Sequence, residues 1–137
     1  MDCIFCKIAS SEIPAYKILE NDNTLAFLDV DPLILGHTVV IPKKHYGNIA
    51  DLPEELIEPV FLSVKKATEM LMRGLGVEGF TIGINHGTIA HQTVDHLHVH
   101  VVPRRSGDGG GSIHSIVKNP PVEPLEETQR RILEANK

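Results

Sequence analysis

The sequence predicts an α+β domain: a five-stranded, mainly antiparallel sheet with one long helix and a C-terminal helix. Three observations predict it. Polar and apolar residues alternate without a break from His96 to Val101, the period of a strand with two different faces. Two short runs, Tyr16–Glu20 and Thr24–Leu28, are separated by Asn21-Asp22-Asn23, a polar tight turn that makes them a hairpin. Leu56, Val60, Val64, Ala67 and Leu71 recur at helical spacing and form one apolar face.

From the N-terminus, Ile4–Ala9 is apolar at helical spacing and predicts a short helical turn, which Ser10–Pro14 breaks. The hairpin follows, and Asp29-Val30-Asp31-Pro32 ends its second strand. After Gly36, Thr38–Pro42 is a buried strand stopped by proline. At Asp51-Leu52-Pro53-Glu54 a helix starts: Asp51 caps, Pro53 suits an early position, and Glu54 completes capping-box spacing. Gly74 and Gly76 mark its end, Pro59 is expected to kink or interrupt it near its start, and Met70 and Met72 are expected to pack.

Phe80–His86 and His96–Val102 are antiparallel neighbours joined by the polar stretch Gly87–Asp95, a connection of the kind that carries function on a rigid sheet. Pro103 is expected to end the last strand. Ser106–Ser112 is glycine-rich and expected to be mobile, and Pro124–Asn136 predicts the last helix. With no internal repeat, residues 1–137 form one domain, with 106–137 a flexible segment plus helix.

Lys+Arg 13 against Asp+Glu 18 gives a net charge of −5, and a non-specific nucleic-acid binder would carry a basic excess. A phosphate ligand must therefore be met by a few local donors. There is no charged-then-apolar leader and no apolar run of membrane-spanning length, so the expected location is cytoplasmic, away from membranes. The only two cysteines, Cys3 and Cys6, stand in Cys-x-x-Cys spacing. In a reducing compartment such a pair binds metal or does redox work more often than it forms a structural disulfide.

The alternating stretch places His96, His98 and His100 on one face, neighbours roughly 6.6 Å apart, and Leu97, Val99 and Val101 on the other. Three imidazoles in a row have three readings. A half-buried strand face would be filled with less pH sensitivity by Tyr, Thr or Val. A single metal held by all three is opposed by geometry: His96 and His100 lie roughly 13 Å apart on an extended strand, against Zn–N bonds of about 2 Å. The third reading is catalysis, one imidazole as nucleophile and another donating hydrogen bonds or protons to a phosphate.

At these residues the chain resembles the histidine-triad (HIT) family of nucleotide hydrolases and transferases. The family signature His-φ-His-φ-His-φ-φ, φ apolar, is met at every position from His96 to Val102. The likeness extends to Cys3–Lys7, Ala26–His45 and Gly83–Arg104, and fits a prokaryotic-type nucleotide-binding member with a Cys-x-x-Cys zinc site. After the triad, Val102-Pro103-Arg104 resembles the bacterial, archaeal and dinucleoside-polyphosphate branches rather than the eukaryotic phosphoramidases.

The resemblance implies a HIT-like fold, a twofold homodimer with the long helix at its interface, and a purine nucleotide ligand (AMP, GMP or derivatives). It makes His98 the nucleophile on the α-phosphate, and His100 the group that hydrogen-bonds the phosphate or leaving group and helps protonate it. His37 would position these imidazoles. Asn85, Gln92 and Thr93 would hydrogen-bond the phosphate or leaving group, and Asp29 would accept from the ribose hydroxyls. Ile4, Phe5, Ile8, Phe27 and Val30 would line the base pocket. Cys3 and Cys6 supply two zinc ligands at the usual spacing, and a tetrahedral site needs two more; family members with this pair complete it with the residues corresponding to His45 and His96. Such a closed Zn²⁺ site is structural, so no cofactor is required for catalysis. The implied reaction is hydrolysis of nucleoside 5′-phosphoramidates or dinucleoside polyphosphates to a nucleoside monophosphate. The alternative is a nucleotide-binding regulatory module with incidental hydrolysis. A nucleotidylyltransferase fits less well, because that branch carries glutamine where this chain has His100. His86, His91 and His114 have no assigned role, and Arg104 and Arg105 are either solvated strand-end residues or neighbours of a polyphosphate tail.

Overall fold

Five strands form one sheet in the computed structural model, which describes residues 2–137. β1 (Lys17–Glu20) and β2 (Thr24–Leu28) are the expected hairpin. Its turn is closed by Asn21, whose side-chain oxygen accepts from the Asn23 and Thr24 amides at 2.9 Å each. β3 (Thr38–Pro42) pairs with β2, and β5 (Val99–Arg104) lies between β3 and the edge strand β4 (Gly79–Gly83), every pairing antiparallel.

Both faces of the sheet are covered. α2 (Glu54–Leu75) lays Val60, Val64, Ala67 and Leu71 against Ala26, Val40, Leu97, Val99 and Val101 on one side. On the other side, Ile8 of α1 (Ile4–Ala9) packs with Leu25, Phe27, Val39 and Ile41. Leu97, Val99 and Val101 thus take the α2 side, leaving the three histidines for the α1 side. α3 (Leu125–Ala135) has no buried residue. Among the described residues, no helix is long and apolar enough to cross a membrane.

Several local expectations are corrected. The N-cap of α2 is Pro53, without a side-chain cap bond; Asp51 instead sits in a turn where the Asn48 side-chain oxygen accepts from the Ala50 and Asp51 amides. The capping box is not formed, and Glu54 and Glu55 complement the positive helix end directly. Pro59 does not interrupt the helix. Its missing N–H deprives the carbonyl of exposed Glu55 of its helical donor. Met70 and Met72 flank the buried stripe and are 36% and 46% exposed.

The triad strand also starts and ends later than its alternation predicts. Ahead of Val99 the backbone leaves the ladder, because the Leu97 amide donates to the Tyr46 carbonyl at 2.6 Å and the His96 carbonyl accepts from a side chain. At the far end β5 runs through Pro103 to Arg104. Its pairing with β3 ends at Val101, so Pro103 is paired on one side only, as proline in an edge strand is. Beyond it, Arg104 forms a forked pair with Asp108 (2.8 and 3.1 Å) and donates to Thr81 and the Gly111 carbonyl, holding the start of the glycine-rich segment. Arg105 donates to the Leu75 carbonyl at the end of α2.

Candidate active site

The protonation pattern of the triad follows from the backbone groups that face it. His98 Nδ1 lies 2.8 Å from the His96 carbonyl. A carbonyl only accepts, so Nδ1 carries the proton and Nε2 keeps its lone pair. Nε2 makes no hydrogen bond, and no buried side-chain polar atom among the described residues lacks one, so solvent reaches this nitrogen although His98 as a whole is 5% exposed. The ring stands edge-on to Phe5 (centroids 5.1 Å apart) and to His100 (4.9 Å).

His37 has the opposite tautomer. The Leu33 amide donates to its Nδ1 at 3.1 Å, which places the ring proton on Nε2. That proton is donated to His100 Nδ1 at 3.0 Å, leaving His100 with its own proton on Nε2. Burial, then the neighbouring His98 and His37, push the His100 pKa down to about 4, and burial lowers His37 as well, against the opposing pull of Asp29. Both rings are neutral at neutral pH. The result is one lone-pair nitrogen on His98 and one N–H on His100, on neighbouring side chains: an arrangement that can offer a nucleophile beside a donor.

A second cluster adjoins the first. Cys3, Cys6, His45 and His96 bring their ligand atoms within 4.8 Å of one another. His96 Nδ1 is 3.4 and 3.5 Å from the two sulfurs, and His45 Nδ1 is 3.4 Å from Cys6. Bond lengths of about 2.3 Å (Zn–S) and 2.05 Å (Zn–N) at a tetrahedral angle require S···N separations of about 3.5 Å. His96 Nε2 donates to the Pro42 carbonyl at 2.8 Å, so its bare Nδ1 is the nitrogen that faces the sulfurs. Burial, then the hydrogen bond to Cys3 and its charge, push the Cys6 thiol up to about 11. Two thiols this close ionise together only around a cation. These four residues could hold a metal, and the donor set suits zinc. Asp29, His37 and His100 also lie within 4.8 Å of one another, but the Leu33 amide keeps the His37 proton on the nitrogen a metal would need. Within that trio only His37 and His100 are hydrogen-bonded, with Asp29 3.6 Å from His37 Nε2.

The profile of the HIT domain matches residues 10–107. The chain belongs to the HIT family. It is 44% identical over 117 residues to a HIT-like protein of Methanocaldococcus jannaschii, covering 85% of this chain and 90% of that one. It is 41% identical over 110 residues to the adenosine 5′-monophosphoramidase of Schizosaccharomyces pombe, covering 80% of each. A crystal structure of a zinc-bound histidine triad family protein from Mycobacterium smegmatis superposes with a TM-score of 0.74 at 35% identity, covering 100% of this chain and 99% of that one.

This HIT protein brings His37, His98, His100 and Asp29 together. Asp29 accepts from the Asp31 amide at 2.9 Å through one oxygen, and its other oxygen stands 3.6 Å from His37 Nε2. The five apolar residues expected around a base divide. Ile8 and Phe27 are core, Phe5 bridges Phe27 and His98, Ile4 is half exposed, and Val30 is 85% exposed on the strand-end loop. Ile4 and Thr93 line a cavity of about 500 Å³ that also touches Cys3 and His45. Asn85 is exposed just past β4. Gln92 braces its own loop: its oxygen accepts from the Gly87 amide, and its nitrogen donates to the Gly47 and Val94 carbonyls. His86, His91 and His114 are exposed. The parts that sequence reasoning missed are the Pro42 and His96 carbonyls and the Leu33 amide. Main-chain groups have no residue-type signal.

Proposed function

We propose that this HIT protein is a nucleotide hydrolase that cleaves nucleoside 5′-phosphoramidates or dinucleoside polyphosphates at the α-phosphate. The observation that carries the reading is the His98 ring, whose Nδ1 proton is held by the His96 carbonyl so that Nε2 presents its lone pair to solvent. Nε2 attacks the α-phosphorus, the P–N or P–O bond to the leaving group breaks, and a nucleotidyl-His98 intermediate forms. The His100 Nε2–H, held outward by His37, donates to the phosphate or departing group. Water then hydrolyses the intermediate, releasing the nucleoside monophosphate and restoring the ring.

The activity of the fission-yeast relative supports this reaction class. In this reading Asp29 takes the ribose hydroxyls, Ile4, Phe5, Ile8, Phe27 and Val30 surround a purine, and Asn85, Gln92 and Thr93 serve the phosphate side. Zinc at Cys3, Cys6, His45 and His96 is structural: when bound it cross-links the N-terminus to the triad segment. We further infer a homodimer joined along α2, where Ile57, Phe61 and Leu62 are 41%, 39% and 43% exposed on one helix, and a cytoplasmic location, where both thiols stay reduced.

A substrate panel of adenosine phosphoramidates, adenylyl-lysine and diadenosine polyphosphates, with acid-quenched single turnovers, tests the proposal. An adenylyl adduct on the His98 peptide that forms and decays at the rate of turnover is expected. Tight nucleotide binding with no adduct and no turnover on any of them would instead make the protein a nucleotide-binding regulatory module.

A further inference from the structure

We propose that the Cys3/Cys6/His45/His96 cluster positions the nucleophile, its ligand state reaching His98 through the His96 main chain and the Phe5 ring. The inference rests on the reading of His98 as nucleophile.

His96 belongs to both sites. Its ring is fully buried and fastened at both ends, Nδ1 toward the two sulfurs and Nε2 on the Pro42 carbonyl. The carbonyl of the same residue is the acceptor that keeps the His98 proton on Nδ1. A small rotation of His96 therefore moves the group on which the His98 tautomer depends. Phe5 provides the second route. It lies between the two cysteines in sequence, and its ring is edge-on to both His98 (5.1 Å) and His96 (5.9 Å).

The cluster and the core hold Phe5 there together. α1 is six residues long, buries Ile8, and half-buries Phe5 and Ala9 against the same core, with Phe5 edge-on to Phe27 at 5.6 Å. A helix this short does not persist by itself, so the four ligands add a constraint that this packing alone lacks. With the ligands unfastened, α1 loosens, Phe5 withdraws from the nucleophile, and His98 samples both tautomers and more than one ring orientation.

Nitrogen-15 labelling of the histidines tests this, since two-bond couplings report which ring nitrogen carries the proton. Zinc-loaded wild type is compared with chelator-stripped protein, with Cys6→Ser, and with Phe5→Leu, which keeps all four ligands. Zinc-loaded protein is expected to show His98 as a single Nδ1–H tautomer. Stripping and Cys6→Ser are expected to average the two His98 nitrogens and lower kcat about tenfold to hundredfold with KM changed less than about twofold. Phe5→Leu should shift His98 in the same direction at full metal content. A stripped protein that stays folded with an unchanged His98 pattern and kcat overturns the proposal, leaving the cluster a staple for the N-terminus. Should the stripped chain unfold, cadmium-loaded protein decides: its longer metal–sulfur bonds should move the His98 signals, and an unmoved pattern overturns the coupling. The tautomer readout needs no turnover, so a zinc-loaded protein inactive on every substrate would refute the hydrolase reading without touching the coupling.

Discussion

His37 Nε2 stands 3.0 Å from His100 Nδ1, and because the Leu33 amide points at the far nitrogen of His37, the proton between the two rings belongs to His37. His37 therefore decides which nitrogen of His100 keeps a proton to donate. His37→Ala frees His100 to keep its proton on the inner nitrogen. We expect kcat to fall about tenfold to hundredfold, below the full loss of a general acid. Steady-state kinetics on an adenosine phosphoramidate check this, and KM should change little.

Removing the proposed nucleophile is expected to separate chemistry from binding. His98→Ala should lower kcat by about 10⁴-fold or more, because the only outward lone-pair nitrogen beside the His100 donor is gone. AMP affinity should stay within about threefold of wild type, a change of roughly 0.7 kcal/mol. Calorimetric titration of both proteins makes the comparison.

The depressed imidazoles set a pH dependence of stability. His100 titrates near 6.5 unfolded and about 4 folded, so between these values the unfolded chain binds more protons. Its contribution is complete above about 6.5 and is lost as pH falls toward 4, and His37 acts in the same direction. Urea midpoints should fall across this window. In His100→Asn the slope should be shallower.

Gly36 should resist substitution. Its φ is +89°, and a Cβ there would stand 2.6 Å from Leu75 Cδ1 and 3.2 Å from Pro103 Cγ. Gly36→Ala combines left-handed backbone strain with an overpacked contact, a cost of about 1–3 kcal/mol. The changed residue directly precedes His37, so kcat should drop alongside the urea midpoint.

Metal content is expected to be one per chain by elemental analysis of freshly purified protein. Cobalt substitution should give thiolate-to-metal absorption that Cys3→Ser or Cys6→Ser abolishes. Chelation should lower Tm, as it does wherever ligands are gathered by folding. A metal content well below one per chain would remove the zinc assignment.

Much of the fold was legible because each element had its own period or punctuation. Asn21-Asp22-Asn23 announced the hairpin, the stripe from Leu56 to Leu71 the long helix, and the His96–Val101 alternation a two-faced strand. The misplaced boundaries, at Asp51, Pro59, Val99 and Pro103, are where long-range partners override local preference. Pro103 is tolerated because β3 has already ended, and the strand start at Val99 is set by Tyr46 and His96. Neither fact has a local signature.

The residue types and spacings alone determined which side chains are available: three imidazoles on one strand face, a fourth after Gly36, and two thiols three residues apart. Tertiary structure decided what each one does. His37, His96 and His98 are chemically identical rings, yet an amide at Leu33 leaves one with its proton on Nε2, while carbonyls at Pro42 and His96 leave the others with a bare Nδ1 facing the sulfurs and a bare Nε2 facing solvent. An imidazole has one proton and two nitrogens, and only the group it meets across the fold chooses between them.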